Sequence, residues 1–279
     1  MRKIKIVADS ACDVTQLKHT SFASSPMKVI TAEKEFVDDE ELDVEAFVQF
    51  MSKYKGKSKS SCPNTNDWLS AFGDADDIFC VTITGGLSGS YNSACVAKRI
   101  YEEQHEGKRV FVVDSLSAGP EITMILEKLD ELVESGLSYE EICDAITAYQ
   151  QKTGLVFMLK SLNTFANNGR VSPLLAKAIG ILGICIVGKA SAEGTLEPLH
   201  KCRGERRSLE TLSDIIKEEG FKDGKISIGH CQNEEAALLL KDMILKKYPQ
   251  ASVEIHKLKG LCSFYAEMGG ILVGFEKSE

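Results

Sequence analysis

Between Val81 and Ala94 the chain reads Val-Thr-Ile-Thr-Gly-Gly-Leu-Ser-Gly-Ser-Tyr-Asn-Ser-Ala. An apolar, β-branched run breaks into a turn of glycines and serines. A helical pattern follows, with Val96, Ala97 and Ile100 on one face. Gly85, Gly86 and Gly89 lack side chains, so backbone N–H groups in such a turn can approach a ligand closely. The helix start adds donors without intrahelical partners and a partial positive charge. Ser88 and Ser90 add hydroxyls. These groups suit an anion, either a phosphate or a carboxylate. No Gly-Lys-Ser/Thr follows, so the loop is not a Walker A loop, and its spacing is not a dinucleotide fingerprint. Close packing of a strand on a helix also selects glycine. Anion binding and plain packing both remain open from the loop alone.

Other segments carry chemistry-bearing side chains with less definition. Lys57-Ser58-Lys59-Ser60-Ser61-Cys62-Pro63 reads as an exposed loop with solvated lysines, or as a hydroxyl donor facing the Ser88 loop. Asp9-Ser10 and Asp114-Ser115 each close an apolar strand. The two aspartates either brace loops and cap helices or contribute to a site. Ser88 has no G-x-S-x-G frame, and no base is placed beside it by sequence, although the fold can bring His230 near. Asp38-Asp39-Glu40-Glu41 reads as a solvated acidic run. Lys201, Arg203, Arg206 and Arg207 form a basic cluster, either an exposed face or a dock for an acidic partner.

These candidates sit on alternating strands and helices. Ile4–Val7, Ile78–Thr84 and Val110–Val113 read as strands, the last two as near-continuous apolar runs buried on both faces. Val44, Phe47, Val48 and Met51 mark a helix, as do Ile122, Leu126, Leu129 and Val133. Ser138-x-x-Glu141 is a capping box for the next helix. This β-α alternation predicts a parallel sheet with ligands at the carboxyl ends of its strands. Further on, strands are expected around 155–159, 184–187, 226–228, 253–255 and 271–273. Helices are expected over 209–219 and 234–247, giving a second α/β unit.

The whole-chain properties set limits. A length of 279 residues suits one large or two modest domains, and 43% hydrophobic residues supply a core. A net charge of −8 argues against sequence-independent nucleic-acid binding. No run approaches the roughly 18 apolar residues of a membrane span. The nine cysteines are scattered without a C-x-x-C pair, and the start of the chain does not read as a signal peptide. Reduced thiols in a cytoplasmic protein are expected. The five histidines show no metal spacing, and neither metal nor cofactor is expected.

Six segments in order resemble the DegV family of bacterial fatty-acid-binding proteins. Ile6-Val7-Ala8-Asp9-Ser10 resembles its opening I-x-T-D-S, and Ser60-Ser61-Cys62-Pro63 its T-S-Q-P. Thr84 through Ala94 resembles S-S-G-L-S-G-T-Y-Q-S-A. Val113-Asp114-Ser115 with Ser117 and Gly119 resembles V-D-S…S-x-G. Asn168-Gly169-Arg170-Val171-Ser172 is similar to G-G-R-I-S, and Lys201-Cys202-Arg203 to K-x-R before a helix.

The resemblance implies an α/β protein of two domains, 1–154 and 155–279. The first would hold a mostly parallel three-layer sheet, the second a mixed sheet, with a ligand cleft between them. It implies a non-enzymatic protein that holds a long-chain fatty acid and presents its carboxylate to the catalytic subunit of a fatty acid kinase. Ser60 and Ser88, with Ser61 and Gly89 beside them, would bind the carboxylate, and Arg203 would dock the partner. Ile179, Ile181, Leu182, Ile184 and Ile186 would line the acyl chain. The residues alone leave a second reading, a small-molecule phosphotransferase or hydrolase using the Gly/Ser loop. The chain departs from the family's C-terminal H-T-G-P-G-A-L-G, offering Tyr265-Ala266-Glu267-Met268-Gly269-Gly270-Ile271-Leu272. Smaller departures are Ser60 for Thr, Cys62 for Gln and Gly85 for Ser. Compensation for the absent histidine is expected from Gly85 N–H, Ser263 or Tyr265, with Glu267 turned away from the carboxylate.

Overall fold

The computed structural model describes residues 2–172 and 183–278. Four short strands form the first sheet: β1 (Ile4–Asp9), β2 (Ser21–Ser25), β6 (Asp77–Thr82) and β7 (Arg109–Asp114). Every pairing in it is parallel, in the order β2-β1-β6-β7. All six residues of β6 are buried, as a central strand covered on both faces requires. On its outer side lie α2 (Thr65–Phe72) and α3 (Ser90–Gln104), which bury Trp68, Phe72, Ala94, Ala97 and Tyr101 against Val7, Ile78 and Val110.

The second sheet holds β8 (Thr153–Leu159), β9 (Ile184–Ala190), β10 (Leu196–Arg203), β11 (Lys225–His230), β12 (Ser252–Lys257) and β13 (Ile271–Glu276). Its order is β10-β9-β8-β13-β11-β12; β11 and β12 are parallel and the other pairs antiparallel. Two amphipathic helices, α7 (Glu205–Glu218) and α8 (Glu234–Lys247), pack Leu209, Leu212, Ile216, Ala237 and Leu240 on its outer face. The expected pair of α/β units, one parallel and one mixed, is therefore present.

Between the two sheets runs α4 (Pro120–Glu134), followed by α5 (Tyr139–Gln150). The Ser138 and Glu141 capping box at the start of α5 forms as predicted. α4 touches β1 and β6 of the first sheet and β8, β11 and β13 of the second. Its first turn crosses β13 at Gly274, where a Cβ would lie 2.7 Å from the Glu121 nitrogen, so this crossing needs glycine. The inner faces of both sheets share one core, with Ile6, Ala8, Phe79 and Val81 from one side and Leu155, Phe157, Leu159 and Leu272 from the other.

A third sheet departs from the sequence-based expectation. β3 (Lys28–Thr31), β4 (Glu35–Val37) and β5 (Ser58–Ser61) form an antiparallel ribbon in the order β4-β3-β5. The Lys57–Pro63 segment is thus partly strand, not loop, because Ser58 through Ser61 pair with Thr31 through Lys28. Its alternation is polar on both faces and leaves no hydrophobic signature. The helix α1 (Val44–Lys53) lies between β4 and β5 in the chain and buries Phe47 and Val48. The acidic run also needs correction. Asp38 is 2% exposed and is held by three donors, unlike its solvated neighbour Glu40.

Candidate functional site

The glycine loop after β6 is held from below by two aspartates at neighbouring strand ends. Asp9 accepts hydrogen bonds from the Ile83 N–H (2.9 Å), the Ser90 hydroxyl (2.5 Å) and the Ala11 N–H (3.3 Å). It is fully buried, and that desolvation pushes its carboxyl up to about 6 despite the three donors. Asp114 accepts from the N–H groups of Gly85 and Leu116, both at 3.0 Å. The two acids thus brace the loop.

The loop's backbone donors are largely consumed inside the protein. Gly85 N–H goes to Asp114, Gly86 N–H to Thr84 Oγ1 (3.1 Å), Ser88 N–H to the Thr84 carbonyl (3.2 Å) and Ser90 N–H to Ser88 Oγ (3.3 Å). The loop is therefore not an open cradle of amides, and the extra glycine at Gly85 frees no donor. Ser90 is buried on Asp9. Gly89 is the exposed N-cap of α3 and lies against the Cys62 sulfur, 3.4 Å from where its Cβ would be.

A cavity opens between the two sheets beside this loop. It holds about 810 Å³ of space free of atoms, counted out to its open mouth. Its walls are mainly apolar: Ile83, Leu87, Leu116, Leu155, Phe157, Leu159, Leu196 and Leu272 are among them. Polar side chains interrupt them: Thr84, Ser117 and Thr195, and a further group of Ser60, Ser88, Arg170 and Tyr265. A mainly apolar cavity with a few polar side chains is the make-up of an amphiphile site.

That polar group is assembled from four parts of the chain. Ser60 comes from β5; its Oγ lies 2.7 Å from the Tyr265 hydroxyl, and its N–H donates to Asn168 Oδ1 at 3.1 Å. Tyr265 is carried by α9 (Gly260–Ala266), and its ring packs on Phe165 of α6 (Asn163–Asn167) at 4.7 Å between centroids. Burial raises the phenol above its ordinary value, so Tyr265 is a neutral donor. Arg170 follows α6; its Nε donates to the Leu87 carbonyl at 3.1 Å and its Nη1 to the Asn168 carbonyl. The guanidinium thus bridges the segment after α6 to the Ser88 loop.

The structure brings Ser60 and Ser88 to one cavity; Gly89, next to Ser88, is not among the described cavity residues. Ser61 points elsewhere: successive strand residues alternate in direction, and its hydroxyl is turned to the Cys62 carbonyl at 3.4 Å. Arg203 is exposed at the end of β10, immediately before α7. Ile186 belongs to the shared core, and neither it nor Ile184 is among the described cavity residues. Ile179, Ile181 and Leu182 fall outside the described residues. Three residues were not placed in the site by sequence: Arg170, Asn168 and Thr84. The first two were visible only as part of the motif at 168–172.

Of the three groups expected to stand in for the histidine, Tyr265 is among the described cavity residues, and Gly85 and Ser263 are not. Ser263 spends its hydroxyl on the Leu258 carbonyl at 2.9 Å, inside the protein. Glu267 turns to α6, accepting from Thr164 Oγ1 (2.8 Å), Thr164 N–H (3.1 Å) and Ser161 Oγ (3.1 Å). His230 does not approach Ser88. It is buried at the end of β11, its Nδ1 accepts the Asn233 N–H at 3.2 Å, and desolvation lowers its basicity. Among the described residues no three His, Cys, Asp or Glu side chains form a metal-binding group, and no helix is long and apolar enough to cross a membrane.

This geometry can be set beside known proteins. The model of the family described as "Uncharacterised protein, DegV family" matches residues 3–277. A DegV domain-containing protein of Streptococcus pneumoniae strain R6 is 46% identical over 276 residues, covering 98% of each chain. The crystal structure of a DegV family protein from Eubacterium eligens, loaded with heptadecanoic acid, is 45% identical with a TM-score of 0.96. It covers 99% of this chain and 100% of its own. The Streptococcus pneumoniae Fatty Acid Kinase (Fak) B3 protein, loaded with linoleic acid, gives the same identity, TM-score and coverage. With the family model spanning nearly the whole sequence and both sheets reproduced in these relatives, this chain belongs to the DegV family.

Proposed function

We propose that this protein binds a long-chain fatty acid between its two α/β domains and presents the carboxylate to a separate kinase subunit, which forms the acyl phosphate. The observation that carries this reading is the pairing of an apolar cavity with one group of neutral and cationic donors, Ser60, Ser88, Tyr265 and Arg170. Transfer of apolar chain from water contributes about 0.8 kcal/mol per methylene, so the tail supplies most of the affinity. A carboxylate held in a partly dry site needs several donors at once. The hydroxyls of Ser60, Ser88 and Tyr265 supply them, and Arg170 offsets the charge. Ser61 and Gly89 shape the surrounding backbone, and Gly89, adjacent to Ser88, is exposed. A second protein can reach the carboxylate there. The division into 1–154 and 155–279 falls two residues into β8 and leaves Ser60 and Ser88 on one side, Tyr265 and Arg170 on the other.

Two relatives 45% identical to this chain carry heptadecanoic and linoleic acid, and one of them is a fatty acid kinase B protein. The kinase catalytic subunit is accordingly the proposed partner, with Arg203 in its dock and a cytoplasmic setting for both. The protein is a binder and not itself an enzyme. The hydrolase or phosphotransferase alternative requires a base at Ser88, but Ser88 Oγ accepts from the Ser90 N–H, and His230 is committed elsewhere.

The test is twofold. Delipidated protein should bind oleate, and with a fatty acid kinase catalytic subunit and ATP it should support acyl phosphate formation. Turnover of a phosphorylated small molecule by the protein alone, with no oleate binding, would replace this reading by the enzymatic one.

A further inference from the structure

The helix that carries Tyr265 is not capped by its own sequence. α9 has seven residues, too few for a stable helix on its own. Its N-cap, Lys259, gives no side-chain hydrogen bond. The acceptors come from the other half of the molecule. Asp13 Oδ1 takes the Lys259 N–H at 2.7 Å. Asp38 Oδ1 takes the Gly260 N–H at 2.9 Å, and Asp38 Oδ2 takes the Leu261 N–H at 2.8 Å. Both oxygens of one buried carboxylate are thus spent on successive amides of α9, across 222 and 223 positions of sequence.

Two further observations show that this contact is built in. A Cβ on Gly260 would lie 2.5 Å from Asp38 Oδ1 and 2.5 Å from Leu42 Cδ2, so the carboxylate reaches the helix only because residue 260 is glycine. Ser10 donates its hydroxyl to Asp38 Oδ2 at 2.8 Å and accepts the Met27 N–H at 3.0 Å. Ser10 follows Asp9, which grips the Ser88 loop through Ile83 and Ser90. Adjacent residues at the end of β1 therefore set both the Gly/Ser loop and, through Asp38, the helix bearing Tyr265.

We propose that Asp38 is a positioning residue for the carboxylate end of the cavity: by capping α9 from the opposite domain, it holds the Tyr265 hydroxyl at Ser60. The proposal rests on the fatty-acid reading above. Asp38 touches no ligand. It acts through the direction of a two-turn helix, where a small displacement at the cap moves the Tyr265 hydroxyl out of hydrogen-bond range of a shared partner.

The experiment is a double-mutant cycle on the delipidated full chain, with oleate as the probe and thermal unfolding measured in parallel. Asp38→Asn keeps the shape but places an amide against two N–H donors. Gly260→Ala displaces the carboxylate sterically and serves if Asp38→Asn does not fold. Each should weaken oleate binding about tenfold. In a Tyr265→Phe background the same change should cost less than about twofold, because the group it positions is gone. Independent, multiplying losses would overturn the proposal, as would wild-type affinity in a folded Asp38→Asn or Gly260→Ala protein. A wild-type protein that binds no oleate would instead overturn the fatty-acid reading, and this proposal with it.

Discussion

The Tyr265 hydroxyl lies 2.7 Å from Ser60 Oγ, joining α9 of the second domain to β5 of the first. The contact places two hydroxyls in the wall of a mainly apolar cavity. It also puts a phenol where the family pattern carries a C-terminal histidine. A phenol whose buried environment keeps it protonated donates throughout the physiological range, whereas an imidazole loses charge near neutrality. Tyr265→Phe should therefore weaken oleate binding about tenfold, the size of one hydrogen bond to a charged group. Titration calorimetry on delipidated protein checks this; unchanged affinity would remove Tyr265 from the site.

Ser60 and Ser88 are the other hydroxyls grouped with Tyr265 in that wall. Each hydrogen bond to a charged partner is worth about 1.5–3 kcal/mol. The double variant Ser60→Ala, Ser88→Ala should therefore bind oleate about a hundredfold more weakly or worse, and each single variant about tenfold more weakly. An alcohol of the same chain length should be affected far less, because it carries no anion to stabilise. Equal losses for acid and alcohol would assign both serines to packing.

Arg203 is exposed and is not among the described cavity residues. Arg203→Ala should leave oleate affinity within twofold of wild type and lower the rate of kinase-dependent phosphorylation. The deficit should shrink as salt rises, because exposed charge pairs are screened over about 8 Å at physiological ionic strength. A parallel loss of oleate binding would place Arg203 in the acyl site instead.

Asp9 imposes a pH dependence on folding. Its carboxyl rises from 3.8 in the unfolded chain to about 6 when folded, chiefly by desolvation. A raised acid stabilises the folded state below its unfolded value and loses that contribution as pH rises through the folded one. The window is therefore about pH 4 to 6, with stability from this group falling as pH increases. The shift corresponds to about 3 kcal/mol. Asp9→Asn cannot titrate at that position. The unfolding free energy of wild type minus that of Asp9→Asn should fall by about this amount between pH 3 and 7. A flat or rising difference would show that Asp9 is not raised.

Several elements were legible because their residues repeat at the period of the structure. The buried run at 78–82, the 3.6-residue spacing of Val44, Phe47, Val48 and Met51, and the Ser138–Glu141 box all appear where expected. β5 was not legible, since Ser-Lys-Ser-Ser has no apolar face and its strand character comes from pairing with β3. The burial of Asp38 could not be read either. Its acidic neighbours suggested solvent, and the Ser10 hydroxyl with the distant amides of Gly260 and Leu261 accounts for it.

The site shows the same division. Ser60 and Ser88 stood in recognisable motifs, but the glycine loop's amides turned out to be committed internally, to Asp114, Thr84 and Ser88. Tyr265 was one of three candidates to replace the histidine, and only its contact with Ser60 separates it from Ser263, whose hydroxyl goes to Leu258. Ser61 shares a motif with Ser60 yet faces away, a consequence of strand alternation at a place read as loop.

The central claim, that the apolar cavity holds a fatty acid by its carboxylate, is tested most directly by what the purified protein carries. The protein should be denatured and the released small molecules identified by mass spectrometry. The account predicts a long-chain fatty acid, approaching one per chain and falling sharply in the Ser60→Ala, Ser88→Ala, Tyr265→Phe triple variant. Release of a polar phosphorylated compound, with no long-chain acid, would contradict it.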